Sequence, residues 1–334
     1  MATQPLNIDV LASPDDHAPL GVAPDGAALV TGKGEAYPIR DGILYLLPRD
    51  VQRAEVKERE REGWKKVFEA NQWRVDGPAI LELPDAGTDQ YWKKCAAAFR
   101  FAEAIVGVAP GKCGLDLACG VGWATARFAR RGARMIAADF NDTVHNGLGA
   151  AIQTRALGVA FDAVCCDGER LPIADASLDF AFICSALHHF TDPGKTLAEI
   201  HRVLKPGGVL IDICESFRTG FSDAQREEEH EQLVEFRGAG INEQSLTQAE
   251  YAALFAGAGF RLTTLLPDWD AVVEGAPPEA YMGRGLRDAA RTHRRAIMRL
   301  LLGPLAFGPV VALLRWRRLK FTVCDRIFVA RKRG

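Results

Sequence analysis

Apolar runs of strand length alternate with helix-like segments in the middle of the chain. The runs lie near residues 113–118, 134–139, 161–166, 178–184 and 207–214. Strands that are apolar at nearly every position are typical of a parallel sheet that helices cover on both faces. The pattern therefore predicts an α/β fold built on a parallel sheet.

The first of these runs ends in a glycine-containing turn. Residues 116–122 read Asp-Leu-Ala-Cys-Gly-Val-Gly, and a helical pattern starts at Trp123. A strand, a glycine turn and a helix N-terminus expose backbone N–H groups and leave room for a ligand against the main chain. Glycine spacing alone is weak support, because ordinary strand–helix connections also contain such turns.

Two later aspartates strengthen the prediction of a ligand site. Asp139 ends the second apolar run, where a carboxylate can accept hydrogen bonds from both hydroxyls of a ribose. Asp167 ends the third run and precedes Gly168, and a carboxylate there can accept a hydrogen bond from the amine of an adenine. The glycines are not followed by the lysine of a phosphate-binding loop, and the third glycine of a pyrophosphate site is missing. These features indicate an adenosine ligand without a phosphate.

Taken together, these residues resemble the class I S-adenosylmethionine-dependent methyltransferases, in the small-molecule branch. Residues 116–122 are similar to the first motif of that family, D-x-G-x-G-x-G, with Ala118 in place of the first glycine. The resemblance covers about residues 106–215 and implies a Rossmann-like seven-stranded sheet of order 3-2-1-4-5-7-6. It also implies S-adenosylmethionine as the cofactor and S-adenosylhomocysteine as the product. The cofactor-binding residues that we predict in this core are Asp116, Cys119, Gly120, Gly122, Asp139, Phe140, Asp167, Gly168 and Cys184, of which Asp116 and Cys119 shape the glycine turn.

Two adjacent histidines follow the fourth strand. His188 and His189 stand where the family carries a loop beside the transferred methyl group. A histidine there could deprotonate an acceptor hydroxyl, and His189 is slightly favoured over His188 as this catalytic base. The alternative is that the histidines pack the loop or contact the cofactor, since proximity and orientation alone can accelerate methyl transfer. Glu215 and His230, after the fifth strand, are further candidates to face the acceptor.

Residues 1–49 read as a small β unit. The string from Tyr37 to Leu47 resembles the closing strand of the Trm112-type zinc ribbons, which implies four metal positions. Those positions hold Ser13, Asp16, Thr31 and Gly34 here, which cannot supply the four thiolate or imidazole donors of tetrahedral zinc. We therefore predict a degenerate ribbon without a metal that serves docking or packing.

Residues 50–105 are predicted to be helices that cover the cofactor site. The first is charge-dense and carries Trp64 and Phe68 at helical spacing, and the second runs from Asp89 to about Val106. Such helices supply part of the acceptor pocket in the family. Tyr91, Trp92 and Arg100 are the candidates for contact with the methionine end of the cofactor, although an aromatic stripe of this kind more often packs in a core.

Residues 267–321 form an insertion before the closing strand at 322–334. From Arg284 to Lys320 the insertion holds ten Arg or Lys residues against one acid, around an apolar stretch that two Gly-Pro pairs interrupt. That stretch is too short for a transmembrane helix, but it suits contact of residues 284–320 with a membrane surface. The alternatives are a lid over an apolar acceptor channel, a helix pair packed on the core, or a homodimer contact.

Composition narrows the partners and the compartment. A net charge of −2 argues against nucleic acid as a partner. The eight cysteines include no C-x-x-C pair, so the spacing indicates neither a disulfide framework nor a zinc site. The cytoplasm is the expected location, with peripheral attachment to the membrane as an extension of it.

The sequence thus predicts a methyltransferase that acts on a small, hydrophobic or lipid-linked metabolite of the kind found in natural product biosynthesis. Oxygen is favoured over carbon as the methyl acceptor. Two alternatives stay open: a methyltransferase acting on rRNA or tRNA, and a non-catalytic partner subunit that binds S-adenosylmethionine.

Overall fold

The computed structural model describes residues 7–49, 51–71, 75, 77–215, 233–265 and 326–333. Within these residues, eleven strands form one sheet in the order β1-β2-β3-β4-β7-β6-β5-β8-β9-β11-β10. The predicted insertion at 267–321 lies outside the described residues, as does His230. Among the residues that are described, no helix combines the length and apolar character that a bilayer crossing requires.

Seven of the strands form the predicted central sheet. They are β5 (Cys113–Leu117), β6 (Arg134–Asp139), β7 (Asp162–Cys166), β8 (Leu178–Cys184), β9 (Leu204–Glu215), β10 (Arg261–Leu265) and β11 (Arg326–Arg331). Strands β5 to β9 pair in parallel, whereas β11 runs antiparallel to both β9 and β10. Numbered along the core, this is the order 3-2-1-4-5-7-6, which confirms the predicted Rossmann-like α/β fold.

Four further strands extend this sheet at the β7 edge. They are β1 (Leu20–Val22), β2 (Ala28–Thr31), β3 (Ala36–Arg40) and β4 (Ile43–Leu46), joined as an antiparallel meander up to β4. Strand β4 then pairs in parallel with β7, with Ile43 opposite Ala163 and Leu46 opposite Cys166. The sheet is therefore longer than the seven strands expected, because the N-terminal unit continues it.

Helices lie on both sides of the sheet. They are α1 (Val51–Asn71), α2 (Pro78–Glu82), α3 (Gln90–Val106), α4 (Trp123–Arg130), α5 (Leu148–Ala151), α6 (Pro193–Val203), α7 (residues 233–238) and α8 (Gln248–Gly257). The side chain of Asp89 accepts a hydrogen bond from Trp92 N and starts α3, and Thr247 with Glu250 forms a capping box at α8. Both helices therefore begin where the capping residues predicted.

The sheet carries a hydrophobic core on each face. Strands β5, β6 and β7 are buried at every position, because each of their faces packs on a layer. One core joins the sheet to the N-terminal unit, α6 and α8, and the other joins it to α2, α3, α4 and α5. Two covered faces leave the carboxyl ends of the parallel strands as the open edge, where ligands bind in such sheets.

Candidate functional site

The glycine turn after β5 has the backbone conformation that its sequence predicts. Ala118, Gly120 and Gly122 have φ angles of 56°, 51° and 75°, in the left-handed region. For Ala118 this conformation costs about 1 kcal/mol, since it has a Cβ where the family motif has glycine. Asp116 accepts hydrogen bonds from Thr125 N at 2.8 Å and Thr125 Oγ1 at 2.6 Å, which tie β5 to α4. Burial raises the pKa of Asp116 to about 7, against the opposing effect of these two hydrogen bonds.

Asp139 joins the end of β6 to this turn. One of its carboxylate oxygens accepts a hydrogen bond from Gly120 N at 2.8 Å, and the other accepts one from Asn141 N at 2.9 Å. Asp139 and Gly120 both line the main cavity at the open edge of the sheet. A carboxylate oxygen has more than one acceptor site, so a carboxylate at this position suits the hydroxyl groups of a bound ligand.

The end of β7 contributes a second side of the cavity. Gly168 lines the cavity, and an added Cβ there would lie 2.4 Å from Cε1 of Phe190. Asp167 is buried, and its Oδ1 accepts a hydrogen bond from Glu169 N at 3.0 Å. Its neighbours Cys166 and Gly168 contact the cavity directly, whereas Asp167 stands behind them.

The remaining residues predicted around the cofactor divide between the cavity wall and the layer behind it. Phe140 and Cys184 line the cavity. Cys119 is buried, with its thiol 3.7 Å from Gly120 O, and Gly122 forms the N-cap of α4. Cys119 and Gly122 therefore belong to the glycine turn and do not line the cavity.

Helix α1 covers the cavity. Glu60, Trp64 and Phe68 line it from this helix, and the Trp64 ring meets the His189 ring edge-on at 4.8 Å. These three residues lie four positions apart, which places them on one helix face. The spacing of Trp64 and Phe68 was visible in the sequence, but it did not distinguish a cavity lid from a core stripe.

Two residues predicted near the cofactor lie elsewhere. Arg100 is on the outer side of α3 and pairs with Asp85 at 2.9 Å. Tyr91 directs its hydroxyl toward Cys95 and two further thiols. Neither residue is brought to the cavity wall, because α3 presents them to its flanks while α1 occupies the covering position.

Glu215 at the end of β9 organises the loop that carries the histidines. Its Oε1 accepts hydrogen bonds from Ala186 N and Leu187 N, both at 2.8 Å, and its Oε2 accepts one from Tyr251 Oη at 3.0 Å. Its Oε2 also lies 2.6 Å from Nδ1 of His188. Glu215 is fully buried, so the prediction that it faces the acceptor was wrong.

His188 shares the buried position of Glu215. Burial alone would raise the pKa of Glu215, but the charge and hydrogen bond of His188 outweigh it and lower that pKa to about 2. Burial disfavours a charged His188, yet Glu215 raises the pKa of the imidazole above its ordinary value. The pair therefore acts as a buried ion pair that fixes the loop, and His188 is absent from the cavity wall.

His189 is the histidine that reaches the cavity. Its Nδ1 lies 3.0 Å from Asn242 O and 3.0 Å from a carboxylate oxygen of Glu243. Burial lowers the pKa of His189, the neighbouring charge of His188 lowers it further, and Glu243 opposes both. With the Nδ1 proton directed at these acceptors, Nε2 of a neutral His189 is available to accept a proton. Asn242 and Glu243 were not anticipated, since nothing in their local sequence indicates this contact.

Comparison with known proteins finds relatives of the central part of the chain. Residues 115–212 match the methyltransferase domain family. The demethylmenaquinone methyltransferase of Thermobifida fusca is 36% identical over 129 residues, which cover 39% of this chain and 51% of that protein. The ubiquinone/menaquinone biosynthesis C-methyltransferase UbiE of Klebsiella pneumoniae is 33% identical over 160 residues, which cover 46% of this chain and 60% of that protein. The chain thus spans about half the length of the curated relatives it matches.

Solved structures show more distant similarity. A phosphoethanolamine N-methyltransferase 2 of Haemonchus contortus, in complex with S-adenosylmethionine, is 16% identical with a TM-score of 0.48, over 72% of this chain and 52% of that one. The 1,6-didemethyltoxoflavin-N1-methyltransferase of Burkholderia thailandensis is 18% identical with a TM-score of 0.48, over 90% of this chain and 96% of that one. Residues 115–212 are thus similar to the methyltransferase domain family, and they lie in a sheet with the Rossmann-like strand order.

Proposed function

We propose that the protein is an S-adenosylmethionine-dependent methyltransferase that acts on a small, hydrophobic, hydroxylated acceptor, with His189 as the general base. The observation that carries this proposal is a single cavity that is lined by Gly120, Asp139 and Gly168 and also by His189. The relatives named demethylmenaquinone methyltransferase and ubiquinone/menaquinone biosynthesis C-methyltransferase support an acceptor related to quinones.

The residues around the glycine turn fit the adenosine part of the cofactor. Asp139 would accept the hydroxyl hydrogens of the ribose, and Gly120 leaves the main chain open to close approach. Asn146 also lines the cavity, and its Nδ2 is buried without a hydrogen-bond partner in the described part of the chain, so it offers a donor to a ligand. When bound, S-adenosylmethionine supplies an electrophilic methyl group on a sulfonium and leaves as S-adenosylhomocysteine.

Aromatic side chains in the cavity wall suit the acceptor. Trp64, Phe68, Phe140 and Phe190 line the cavity, and such rings favour a flat apolar molecule. His189 stands among them and would take the proton of an acceptor hydroxyl at Nε2. Glu243 then stabilises the imidazolium that forms, while Asn242 O holds the ring in place through Nδ1.

Oxygen and carbon remain the two candidate methyl acceptors. Oxygen was favoured from the sequence, whereas the names of the relatives lean toward carbon. Deprotonation of an aromatic hydroxyl serves both reactions, because the charge of a phenolate is shared between its oxygen and the ring carbons beside it. We therefore propose an aromatic hydroxyl compound as substrate, with the ring carbon next to the hydroxyl as the methylated atom. That carbon bonds to the methyl group as the methyl–sulfur bond breaks, and it then loses its own hydrogen as a proton, which restores the aromatic ring.

The roles of the flanking units are proposals. For residues 1–49 we propose a metal-free docking or packing unit of the Trm112-like type. Its former metal positions are held by hydrogen bonds, with Ser13 Oγ 3.0 Å from Tyr37 Oη and Asp16 2.6 Å from Lys33. Contact of residues 284–320 with a membrane surface, and a homodimer, stay predictions.

The test is incubation of the full chain with methyl-labelled S-adenosylmethionine and an extract of its source cell, followed by fractionation. We expect label in the organic-soluble fraction, loss of that label in His189→Ala, and a product whose methyl group shows a carbon–carbon bond by NMR. Label in RNA would contradict the proposal. Cofactor binding without label in any fraction would favour a non-catalytic partner instead.

A further inference from the structure

Three cysteines from three separate elements meet beside the cavity. Cys95 lies in α3, Cys184 ends β8, and Cys214 lies one residue before the end of β9. The Sγ atom of Cys95 is 3.4 Å from that of Cys214 and 4.0 Å from that of Cys184, and all three sulfurs lie within 4.8 Å of one another. The other cysteines in the described ranges, Cys113, Cys119, Cys165 and Cys166, belong to no such group.

These separations match the spacing of thiolates around a metal ion. Zinc–sulfur bonds of about 2.3 Å in a tetrahedral arrangement hold the sulfurs about 3.8 Å apart. A buried cysteine that only fills space has no reason to converge with two others, since a single thiol packs as well as any small apolar side chain. The convergence therefore needs an explanation beyond packing.

The backbone at Cys214 supports a specific role for its thiol. Cys214 has a φ angle of 60°, in the left-handed region that a residue with a Cβ rarely adopts. The register between β9 and β11 shifts there, since Arg326 pairs with Glu215 while Ile327 pairs with Ile213. This bulge puts Cys214 in the same core as its neighbour Ile213, although successive strand residues normally point to opposite faces. Bulges next to active sites re-aim side chains in this way, and here the bulge aims the thiol at Cys95.

We propose that Cys95, Cys184 and Cys214 bind one thiophilic cation of the Zn²⁺ class. Thiolates select such cations over Mg²⁺ and Ca²⁺. Three protein ligands leave a fourth position open, which is the arrangement of zinc sites that act on a ligand rather than only stabilise a fold.

The place of the site in the molecule links it to the cavity. Cys184 is part of the cavity wall, whereas Cys95 is fully buried behind it. The Tyr91 side chain lies near the three thiols. An open position on the metal would therefore be reached from the cavity, and a role in holding the acceptor rests on the methyltransferase function proposed above.

The test uses the full chain, reduced and freed of metal, with Cd²⁺ alone as the probe. We expect an ultraviolet charge-transfer band from cadmium–thiolate bonds that saturates at one equivalent and is displaced by Zn²⁺. Each of Cys95→Ser, Cys184→Ser and Cys214→Ser should raise the dissociation constant for Cd²⁺ by about tenfold or more, since each change removes one of three bonds to the metal. The matched controls are Cys113→Ser and Cys166→Ser, which change equally buried thiols outside the cluster and should leave the band unaltered.

Absence of the band in the unaltered chain would overturn the proposal without any variant, so misfolding of a variant cannot obscure the result. A band that survives in the triple serine variant, with native circular dichroism, would also overturn it. The proposal would also be overturned if the protein is isolated with a Cys95–Cys214 disulfide and does not bind Cd²⁺ after this disulfide is reduced. The measurement needs neither S-adenosylmethionine nor an acceptor, so its failure and a failure of the proposed methyl transfer are separate results.

Discussion

The Nδ1 atom of His188 lies 2.6 Å from Oε2 of Glu215, and both side chains are almost completely buried. The same carboxylate accepts the backbone N–H groups of Ala186 and Leu187. One acidic side chain at the end of β9 therefore fixes the loop whose next residue, His189, reaches the cavity.

Replacement of Glu215 by Gln should destabilise the fold strongly. The amide keeps the size of the side chain, but its NH₂ group cannot accept the hydrogen bonds that the second carboxylate oxygen receives, and His188 loses its countercharge. We expect the free energy of unfolding in urea to fall by about 3 kcal/mol, as for other broken buried pairs. The control is Asp175→Asn, which breaks the exposed pair with Arg202 and should cost less than about 1 kcal/mol. Equal losses in the two variants would contradict the role given to Glu215.

Replacement of Asp139 by Ala should weaken binding of S-adenosylmethionine. Loss of two hydrogen bonds from ribose hydroxyls to a carboxylate corresponds to a rise of about 100-fold or more in the dissociation constant, measured by calorimetry. The informative comparison is Arg100→Ala, because Arg100 was predicted to contact the cofactor but pairs with Asp85 at the surface. We expect that variant to bind as tightly as the unaltered chain. Near-normal binding by Asp139→Ala would refute the ribose contact.

The imidazole of His189 should titrate below its ordinary pKa of 6.5. Burial and the charge of His188 both disfavour its protonation, so a rate that needs neutral His189 declines at lower pH than it would with an ordinary imidazole. Since Glu243 raises this pKa, Glu243→Gln should move the decline to still lower pH. The ring can be followed by proton NMR without any acceptor, with His189→Gln used to assign its signal. A shift to higher pH in Glu243→Gln would contradict the proposed contact.

Gly168 should tolerate no side chain. An alanine Cβ would lie 2.4 Å from Cε1 of Phe190, so the ring must leave its place in the cavity wall. We expect Gly168→Ala to lower stability by about 1–3 kcal/mol, as overpacking does, and to weaken cofactor binding. Gly21→Ala is the control, since an added Cβ there meets nothing within 4 Å. Phe190→Leu in the same chain should restore part of the lost stability, and failure to do so would place the cause elsewhere.

The parts of this structure that the sequence predicted correctly are those with local causes. Alternating strands and helices predict the parallel sheet, the family resemblance implies its strand order, and residues 116–122 predict the glycine turn. Asp139 could be placed because strands of similar length in a parallel sheet end at one edge, which brings it within 2.8 Å of Gly120 N.

The parts that could not be predicted depend on contacts between distant residues. Glu215 was expected to face the acceptor, but the bulge at Cys214 turns it into the core toward His188. The sequence does not reveal that Cys95, Cys184 and Cys214 lie together. The three residues are far apart along the chain, and their thiols come from one helix and two strands. Arg100 was predicted to contact the cofactor but lies on the outer side of α3. The sequence places this helix near the site, but it does not show which face of the helix points toward the cavity.

The pairing of β4 with β7 sets an order of events for the growing chain. Ile43 is opposite Ala163, so its partner is made 120 residues later. At about 5–20 residues per second, the ribosome needs roughly 6–24 s to complete that stretch. Throughout this interval β3 can pair with one edge of β4, but the edge that later pairs with β7 has no partner strand. A nascent chain stalled before residue 162 should therefore leave residues 43–46 open to proteolysis, whereas one that extends past β7 should protect them.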